Sequence, residues 1–408
     1  MRVLYITAHD VAGQQFNGYL LHRALLAEGQ DSHMAVHRSG FDQPEIHEVG
    51  GALLGFLNKG IAKVERKLSL YSVLPVSSVT LYFARYYRNA EIVHLQLPHA
   101  AQFFSLLNIP LMSRQHHMVW TLHDPWMTAG HCIHPMDCNR WLTGCGECPD
   151  LTIPLPLLRD RTNLMWRLKY WVMHHAKVDL IVASRWMYER VCRSPILSHL
   201  PCHLIPFGID TDMFRPLEKT ACRRKFGIPE DAHVLAFRWT PYFVVKGADY
   251  IKKALGLLKP VKPTYLLTFD APVSYGLDSL GDKYRFVDLG WVEDRQLIVS
   301  ALNAADVFLM PSIAESFGMM AVEAMACGTP VVVFEGTSLP AVIHAPEGGT
   351  AVPSKDAGAL ARAIEDLLKD RERRESLSGA GLEIVRREYT MGAYVERHLK
   401  LYESLIAG

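Results

Sequence analysis

The chain has 408 residues, of which 49% are hydrophobic and 21% are charged. This length predicts two or three globular domains with large apolar cores. The formal net charge is only +1, so no overall field marks nucleic acid as a partner. No apolar run approaches the roughly 18 residues of a membrane span, and the N-terminus lacks a signal-peptide cleavage site, so we expect a cytoplasmic protein.

The N-terminal half alternates apolar runs with helix-like segments. The runs are unbroken, which is typical of parallel strands covered on both faces. A helix is predicted over residues 19–29. Strands are predicted at 2–8, 92–98, 118–124 and 179–184.

A turn-rich segment at 205–216 interrupts this rhythm, and a second series of strands and helices follows. Two such βαβ series predict an α/β protein with two doubly wound, Rossmann-like domains, which we expect to face a central cleft. We place the N-terminal domain at 1–208 and the C-terminal domain at 209–389, and expect a last helix at 390–408 to pack back on the first domain. The second series of strands is predicted at 234–239, 264–270, 285–290, 306–312 and 330–335.

The segment 314–333, AESFGMMAVEAMACGTPVVV, carries the most specific pattern. A strand is followed by a loop with Glu315, and Gly318 precedes a helix that contains Glu323. Free amides around Gly318, Met319 and Met320 can hold phosphate or sugar oxygens. Two carboxylates at fixed spacing suit sugar hydroxyls. The alternative is a pair of solvated glutamates, but the strand–loop–glycine–helix context favours a ligand site.

This segment closely resembles the E-x7-E motif of retaining, two-domain GT-B glycosyltransferases. It is similar to the large sequence family four, which builds bacterial polysaccharides, lipopolysaccharide and mannosides. The resemblance implies GT-B architecture and a nucleoside-diphosphate sugar as donor. It also implies that Glu315 contacts the sugar, that Glu323 contacts the ribose, and that the amides of Phe317, Gly318 and Met319 face the sugar and phosphates.

Negative charge develops on the departing diphosphate, so such an enzyme needs cations there. The family supplies an Arg and a Lys from the first loop of the second domain, and FRWTPYFVVKG offers Arg238 and Lys246 at this place. The alternative is two unrelated surface charges. The Asp210 and Asp212 pair is interpreted as a turn, since it lies between the domains. We therefore expect no catalytic metal.

Four cysteines in the segment 121–149 follow the spacing C-x5-C-x6-C-x2-C. In a cytosolic protein this spacing fits a tetrahedral structural zinc site. His131 or His134 can replace one thiolate, and the alternatives are buried thiols or a redox disulfide. The segment is similar to loops in a subset of the same family, near the colanic-acid and exopolysaccharide type. The predicted ligands are Cys132, Cys138, Cys145 and Cys148.

Further candidates lie at the ends of N-terminal strands. His123 and Asp124 end a predicted strand, and in related transferases a His at this position contacts the donor sugar. The alternative is a packed strand-end histidine beside a capping aspartate. Gly13 belongs to the loop where the family places glycines near the donor phosphates. This loop is not G-x-G-x-x-G, so a dinucleotide cofactor is not expected.

Residues 53–76 combine an apolar helical face with neighbouring basic residues. Such a face suits an anionic bilayer and a lipid-linked acceptor, so peripheral membrane contact is one interpretation. The other is a core-packing helix with a solvated rim. The apolar residues are Phe56, Ile61, Val64 and Leu68, and the basic ones are Lys59, Lys63, Arg66 and Lys67.

The sequence thus predicts a retaining hexosyltransferase. It would move a sugar from a UDP- or GDP-sugar to a hydroxyl of a polysaccharide or lipid-linked glycan. A nucleotide-sugar epimerase of the same architecture and a non-catalytic nucleotide-sugar-binding scaffold are the two alternatives.

Overall fold

A computed structural model describes residues 1–10, 18–99, 103–152 and 156–408. The chain forms two compact units, Met1–Pro206 together with Val395–Gly408, and Phe207–Tyr394. Each unit contains a parallel β-sheet flanked by helices. The predicted α/β class with two doubly wound domains is confirmed. Within the described part of the chain, no helix is long and apolar enough to cross a membrane.

The first unit is built on a parallel sheet with the order β3-β2-β1-β4-β5-β6-β7. Its strands are β1 (Arg2–His9), β2 (Asp31–Arg38), β3 (Ile46–Glu48), β4 (Ile92–Leu95), β5 (His117–Leu122), β6 (Val178–Val182) and β7 (Cys202–Leu204). Its helices are α1 (Tyr19–Ala27), α2 (Gly51–Leu68), α3 (Arg85–Arg88), α4 (Ile109–Met112), α5 (Thr162–His174) and α6 (Arg185–Arg193). The central strands are apolar on both faces, as the unbroken runs require, and Leu4, Tyr5 and Ile6 are fully buried.

The second unit has the sheet order β10-β9-β8-β11-β12-β13 among its described residues. Its strands are β8 (His233–Trp239), β9 (Thr264–Asp270), β10 (Arg285–Asp288), β11 (Val307–Met310), β12 (Val331–Phe334) and β13 (Thr350–Val352). Its helices are α7 (Lys219–Lys225), α8 (Ala248–Leu257), α9 (Arg295–Ala304), α10 (Met319–Ala326), α11 (Leu339–Val342), α12 (Ala357–Lys369) and α13 (Arg371–Glu388). The last helix of the chain, α14 (Met391–Ala407), belongs to the first unit from Val395 onward.

Both sheets reverse their strand order at one point. In the first unit the chain runs outward from β1 to β3 and then returns to add β4 on the other side of β1. In the second unit the same reversal lies between β8 and β11. Ligands of open α/β sheets bind outside the carboxyl ends of the strands at such a reversal, because the two connections diverge there and leave a crevice. Ligand-binding residues are therefore expected at the carboxyl ends of β1 and β4 and of β8 and β11.

A buried carboxylate fixes the amino ends of the second sheet. Asp306 precedes β11 and is 6% exposed. One oxygen accepts hydrogen bonds from the amide of Val234 at 2.8 Å and from Nη2 of Arg223 at 2.9 Å. The other lies 2.7 Å from Nζ of Lys219. These bonds join α7 to the first residues of β8 and β11, and so hold the two strands that flank the reversal.

The turn between the two series follows the expected chemistry. Asp210 accepts hydrogen bonds from the amides of Asp212 and Met213, both at 3.0 Å. This is the backbone-capping role of an aspartate in a turn. The Asp210 carboxylate is therefore engaged in the turn.

Candidate functional site

Two loops of the second unit meet at the ends of β8 and β11. The amide of Ile313 donates to the carbonyl of Val245 at 2.8 Å. Gly247 has a φ of +77°, and a Cβ there would overlap the carbonyl oxygen of Pro311. Only glycine combines this conformation with such a close approach. The contact brings Lys246 to the loop of Glu315, and Nζ of Lys246 lies 2.8 Å from Oε2 of Glu315.

A second ion pair lies beside the first strand of this reversal. Nε of Arg238, the penultimate residue of β8, is 2.6 Å from Oδ2 of Asp270 at the end of β9. Asp270 has a φ of +80° and a side chain that is only 7% exposed, whereas that of Arg238 is 37% exposed. Asp270 was not among the residues predicted from the sequence, although its place at a strand end is a usable signal. The pair holds the guanidinium at the carboxyl edge of the sheet.

Glu323 lies inside α10 and is 7% exposed. Its Oε1 lies 3.4 Å from Nη2 of Arg295, another residue that the sequence analysis missed. Burial raises the pKa of Glu323, while Arg295 and then Arg238 oppose that rise. The two predicted acids thus have different surroundings. Glu315 lies in a loop and pairs with Lys246, whereas Glu323 is buried in α10 and pairs with Arg295.

The start of α10 is fixed by packing on its apolar side. Gly318 precedes the helix with a φ of +97°. The Phe317 ring is 2% exposed and packs edge-on against Phe207, with ring centroids 5.1 Å apart. Met319 and Met320 are the first two helical residues, and the first amides of a helix have no intrahelical acceptor. The Phe317 side chain therefore serves the core, while the backbone of this turn can bind an anion.

In the first unit, His123 follows β5 and its Nε2 lies 2.8 Å from Oε1 of Gln96. Burial lowers the pKa of His123 to about 3, with Asp124 opposing and His99 adding to that shift. The imidazole is therefore neutral near pH 7. The sequence analysis missed Gln96, which directly follows β4. Gly13 lies outside the described residues.

Asp124 is engaged by the protein itself. It caps the turn that follows by accepting from the amide of Trp126 at 2.8 Å, and it lies 3.4 Å from Nε2 of His99. Burial alone would raise the pKa of Asp124, but His99 and the Trp126 amide lower it. The structure thus gives Asp124 a capping role, and its predicted contact with substrate stays a prediction.

The four predicted zinc ligands are partly buried and carry free thiols. They lie near enough for their charges to interact, and burial first, then Cys148, Cys145 and Cys138, raise the pKa of Cys132 to about 12. The amide of Gly130 donates to Sγ of Cys145 at 3.2 Å. Among the described residues, however, no group of three or more His, Cys, Asp or Glu side chains is placed to hold a metal ion.

The cysteine segment is anchored from α5. Lys169 is fully buried, and its Nζ donates to the carbonyls of Trp126 at 2.6 Å and Ala129 at 2.9 Å. The same ammonium lies 3.6 Å from the ring centroid of Trp126. Burial lowers the pKa of Lys169 to about 7, against the opposing effects of Cys145 and Asp124. The start of the segment is therefore rigidly attached to the unit.

The second unit thus gathers three cations, three carboxylates and a helix start near one reversal point. Lys246 and Glu315 are in contact, and Arg238 is near enough to Glu323 to affect its pKa. Cations suit the phosphates of a nucleotide, and carboxylates suit the hydroxyls of sugars. This combination fits a nucleoside-diphosphate sugar.

Comparison with known sequences places the second unit in context. Residues 222–383 match the sequence family described as glycosyl transferases group 1. A D-inositol 3-phosphate glycosyltransferase of Mycobacterium leprae is 35% identical over 173 residues, which cover 40% of this chain and 39% of that protein. The match thus spans about two fifths of the length of the curated relatives. It supports a relation to the group 1 glycosyl transferases.

Comparison with solved structures covers both units. Sucrose-phosphate synthase from Thermosynechococcus elongatus matches with a TM-score of 0.71 and 21% identity over 100% of both chains. Anabaena HepE in complex with UDP-glucose matches with a TM-score of 0.71 and 16% identity, covering 99% of this chain and 100% of its own. The predicted GT-B fold is confirmed.

Proposed function

We propose that this protein is a retaining glycosyltransferase that moves a hexose from a UDP- or GDP-sugar to a hydroxyl of a polysaccharide or lipid-linked glycan. The observation that carries the proposal is the pairing of Lys246 with Glu315 at 2.8 Å at the reversal between β8 and β11, with Arg238 at the end of β8. This arrangement lies within the residues that match the group 1 family.

Each residue of this group has a proposed role. Arg238 and Lys246 stabilise the negative charge that develops on the departing diphosphate, so no catalytic metal is assigned. Glu315 accepts hydrogen bonds from the hexose, and Glu323 from the ribose. The amides of Phe317, Gly318, Met319 and Met320 face the sugar and phosphates, and His123 contacts the sugar.

The proposed reaction breaks the bond between the anomeric carbon and the diphosphate oxygen, and forms a bond from that carbon to the acceptor oxygen on the same face. A departing phosphate oxygen takes the acceptor proton. The nucleoside diphosphate leaves with both bonding electrons, so charge and atoms balance. The cations Arg238 and Lys246 lower the barrier because they meet the new charge in fixed positions.

The similar proteins suggest where to begin. HepE has been crystallised with UDP-glucose, and WaaG is described as a glycosyltransferase involved in lipopolysaccharide biosynthesis. UDP-glucose is therefore the first donor to test, followed by other UDP- and GDP-sugars.

The test is a donor screen that follows release of free UDP or GDP, with and without acceptor extracts. We expect donor-selective release that falls at least 100-fold in Glu315→Ala, as loss of one electrostatic contact in the transition state predicts. Glu372→Ala, an exposed glutamate of α13 in the same unit, is the matched control and should retain activity. Absence of release from every donor would contradict the proposal, and a changed sugar without acceptor would favour the epimerase.

We also propose that Cys132, Cys138, Cys145 and Cys148 bind a structural zinc ion. The support is the spacing of the four cysteines and the tight turn before Cys148, in which residues 144–147 all have positive φ. Four thiolates would close the coordination shell, so this zinc would order the segment rather than react.

The zinc proposal is tested by metal analysis of the purified protein. We expect about one zinc per chain, as one tetrathiolate site requires, and its loss in Cys145→Ser. Cys192→Ser, at an exposed cysteine of α6, should retain the metal. Wild-type protein free of zinc after expression in zinc-containing medium would contradict the site.

Helix α2 supports a proposal of peripheral membrane contact at the cytoplasmic face. Two of its polar side chains, those of Asn58 and Glu65, point inward. Asn58 accepts from the amide of Val76 at 3.0 Å, and the fully buried Glu65 accepts from the amide of Val73 at 2.7 Å. Its apolar Phe56, in contrast, is 73% exposed. This reversed amphipathicity disfavours the core-packing alternative.

The outer face also carries the charge that an anionic bilayer attracts. Leu57, Val64 and Leu68 are exposed, with Lys59, Lys63, Arg66 and Lys67 beside them. We expect the protein to sediment with vesicles rich in anionic phospholipid, and Phe56→Ser to bind several-fold less. Val261→Ser, at a valine that is 76% exposed in the second unit, is the control. Equal binding by the two variants would contradict this role of α2.

A further inference from the structure

An unbroken chain of buried polar side chains connects His123 to the last helix. Nε2 of His123 lies 2.8 Å from Oε1 of Gln96, and Nε2 of Gln96 lies 3.1 Å from Nε2 of His94. Nδ1 of His94 lies 2.5 Å from the hydroxyl of Tyr402 on α14. That hydroxyl lies 3.2 Å from the hydroxyl of Tyr5 on β1. Five side chains thus form one network: Tyr5 and His94 lie in β1 and β4, Gln96 and His123 directly follow β4 and β5, and Tyr402 lies in α14.

Gln96 occupies the reversal point of the first sheet. It directly follows β4 and is 1% exposed. Its backbone N–H donates to the carbonyl of Ile6 on β1 at 3.0 Å. A Cβ on Gly18 would lie only 2.9 Å from Cγ of Gln96, so the backbone before α1 packs directly on this side chain. A buried amide at the ligand-binding edge of the sheet, joined to a strand-end histidine, suggests more than core packing.

The orientation of the Gln96 side-chain amide, with its oxygen toward His123 and its nitrogen toward His94, sets the positions of the protons. The carbonyl oxygen of Gln96 accepts from Nε2–H of His123, and the amide NH2 of Gln96 donates to Nε2 of His94. His94 then carries its proton on Nδ1 and donates it to the Tyr402 hydroxyl. Oγ1 of Thr121 lies 2.7 Å from the same Nε2 of His94, and in this assignment its hydroxyl donates to that nitrogen.

Both imidazoles are neutral. Burial lowers the pKa of His94 well below its usual value, and burial lowers that of His123 to about 3. A neutral ring has one N–H and one acceptor nitrogen. When Nε2 of His123 donates to Gln96, its Nδ1 must be the acceptor.

We propose that Gln96 is a positioning residue that holds His123 in the Nε2–H tautomer, so that Nδ1 accepts a hydrogen bond from a hydroxyl of the donor sugar. The last helix fixes Gln96 in turn, through Tyr402 and His94. The contact with sugar rests on the proposed function, whereas the tautomer is a property of the folded chain and can be tested without turnover.

The tautomer is read from long-range 1H–15N spectra of the full chain labelled with 15N-histidine. The His123 signal is identified by its loss in His123→Asn. We expect an Nε2–H pattern in the wild type and a mixture of tautomers in Gln96→Leu, which keeps the volume but loses both hydrogen bonds. A wild-type Nδ1–H pattern, or an unchanged pattern in Gln96→Leu, would overturn the proposal.

Kinetics test the role of this tautomer in the proposed reaction. Gln96→Leu should lower kcat/KM about tenfold, the equivalent of one neutral hydrogen bond, and Tyr402→Phe should lower it less. Tyr87→Phe is the matched control, because Tyr87 is also buried in the first unit and loses one hydrogen bond, to Oε1 of Gln115 at 2.9 Å. An equal loss of kcat/KM in Tyr87→Phe would mean that Gln96→Leu lowers activity only by destabilising the fold.

Gln96→Glu provides a readout that a merely structural role would not change. The added carboxylate accepts from Nε2–H and raises the pKa of His123, as Asp124 already does, while His99 opposes the rise. His94 is the other titratable group of the network, and it stays neutral because burial lowers its pKa. Protonated His123 cannot accept a hydrogen bond at Nδ1. In Gln96→Glu the fall of kcat/KM at low pH should therefore begin at a higher pH than in the wild type, and activity should recover above the raised pKa of His123. An unchanged pH profile would contradict the proposal. If no donor turns over at all, the proposed function fails, and the spectra alone decide the tautomer.

Discussion

At the scale of single residues, the candidate donor site neutralises its own charges. Lys246 is paired with Glu315 at 2.8 Å and Arg238 with Asp270 at 2.6 Å. Both cations keep about a quarter to a third of their side-chain surface exposed, 26% and 37%, while their acids are more deeply buried. A diphosphate can therefore reach the cations without uncovering a buried charge, and the acids hold each cation in place beforehand.

Gly247 provides a test of this preorganisation. Alanine at a left-handed φ costs about 1–2 kcal/mol of stability in any position, and here its Cβ would also displace the Pro311 carbonyl. We expect Gly247→Ala to lower the free energy of unfolding by more than this and to reduce donor turnover at least tenfold, because Lys246 moves away from Glu315. The measurements are urea unfolding and nucleotide release.

Gly227→Ala is the matched control. Gly227 has a φ of +66°, and no atom lies within 4 Å of an added Cβ. The variant should therefore lose only the stability that the left-handed conformation costs and should keep its turnover. Equal losses of activity in the two variants would show that the contact with Pro311 does not position Lys246.

At the scale of elements, long apolar strands could be predicted from the sequence, whereas short strands and strands interrupted by polar residues could not. The predicted strand at 264–270 coincides with β9. In β2, however, Ser32, His33 and His37 interrupt the apolar run, and β3, β7 and β13 have three residues each. Their pairing is decided by neighbouring strands, which no local pattern reveals.

The same division applies to the candidate site. Glu315, Gly318 and Glu323 form one local motif, so the sequence could group them. Their partners could not be found in this way, because Asp270 lies 32 residues from Arg238 and Arg295 lies 28 residues from Glu323. Gln96 has no motif at all, and only the strand order places it beside β1. Tertiary pairing, rather than local spacing, selects such residues.

The network of Asp306 predicts how the second unit responds to acid. Burial would raise the pKa of Asp306, but Lys219 and Arg223 lower it overall. A lowered folded pKa gives stability that is present above the unfolded pKa of about 4 and is lost as pH falls through the folded value. Asp306→Asn should therefore reduce the free energy of unfolding by about 3–5 kcal/mol at pH 7 and weaken its pH dependence below pH 4. Asp282→Asn, at an exposed aspartate, should change neither.

At the scale of the whole molecule, the chain contains two units with separate sheets and cores. The residues assigned to the nucleotide all belong to the second unit, between β8 and α10. Of the residues assigned to the hexose, Glu315 also belongs to the second unit, whereas His123, with Gln96 and Tyr402, belongs to the first. Because UDP lacks the hexose, binding of UDP tests the contacts assigned to the nucleotide without those assigned to the sugar.

Hydrogen exchange with UDP tests this division. A ligand at about 100 times its Kd stabilises the folded state that binds it by roughly 2.7 kcal/mol. We expect UDP to slow amide exchange within the second unit, most strongly in peptides that cover residues 238–247 and 313–323. Peptides from α2 in the first unit serve as the internal reference and should not change. Because Arg238 and Lys246 supply the positive charge, the double variant Arg238→Ala, Lys246→Ala should abolish the protection. Protection confined to residues 18–99 would instead place the nucleotide on the first sheet and contradict the assignment.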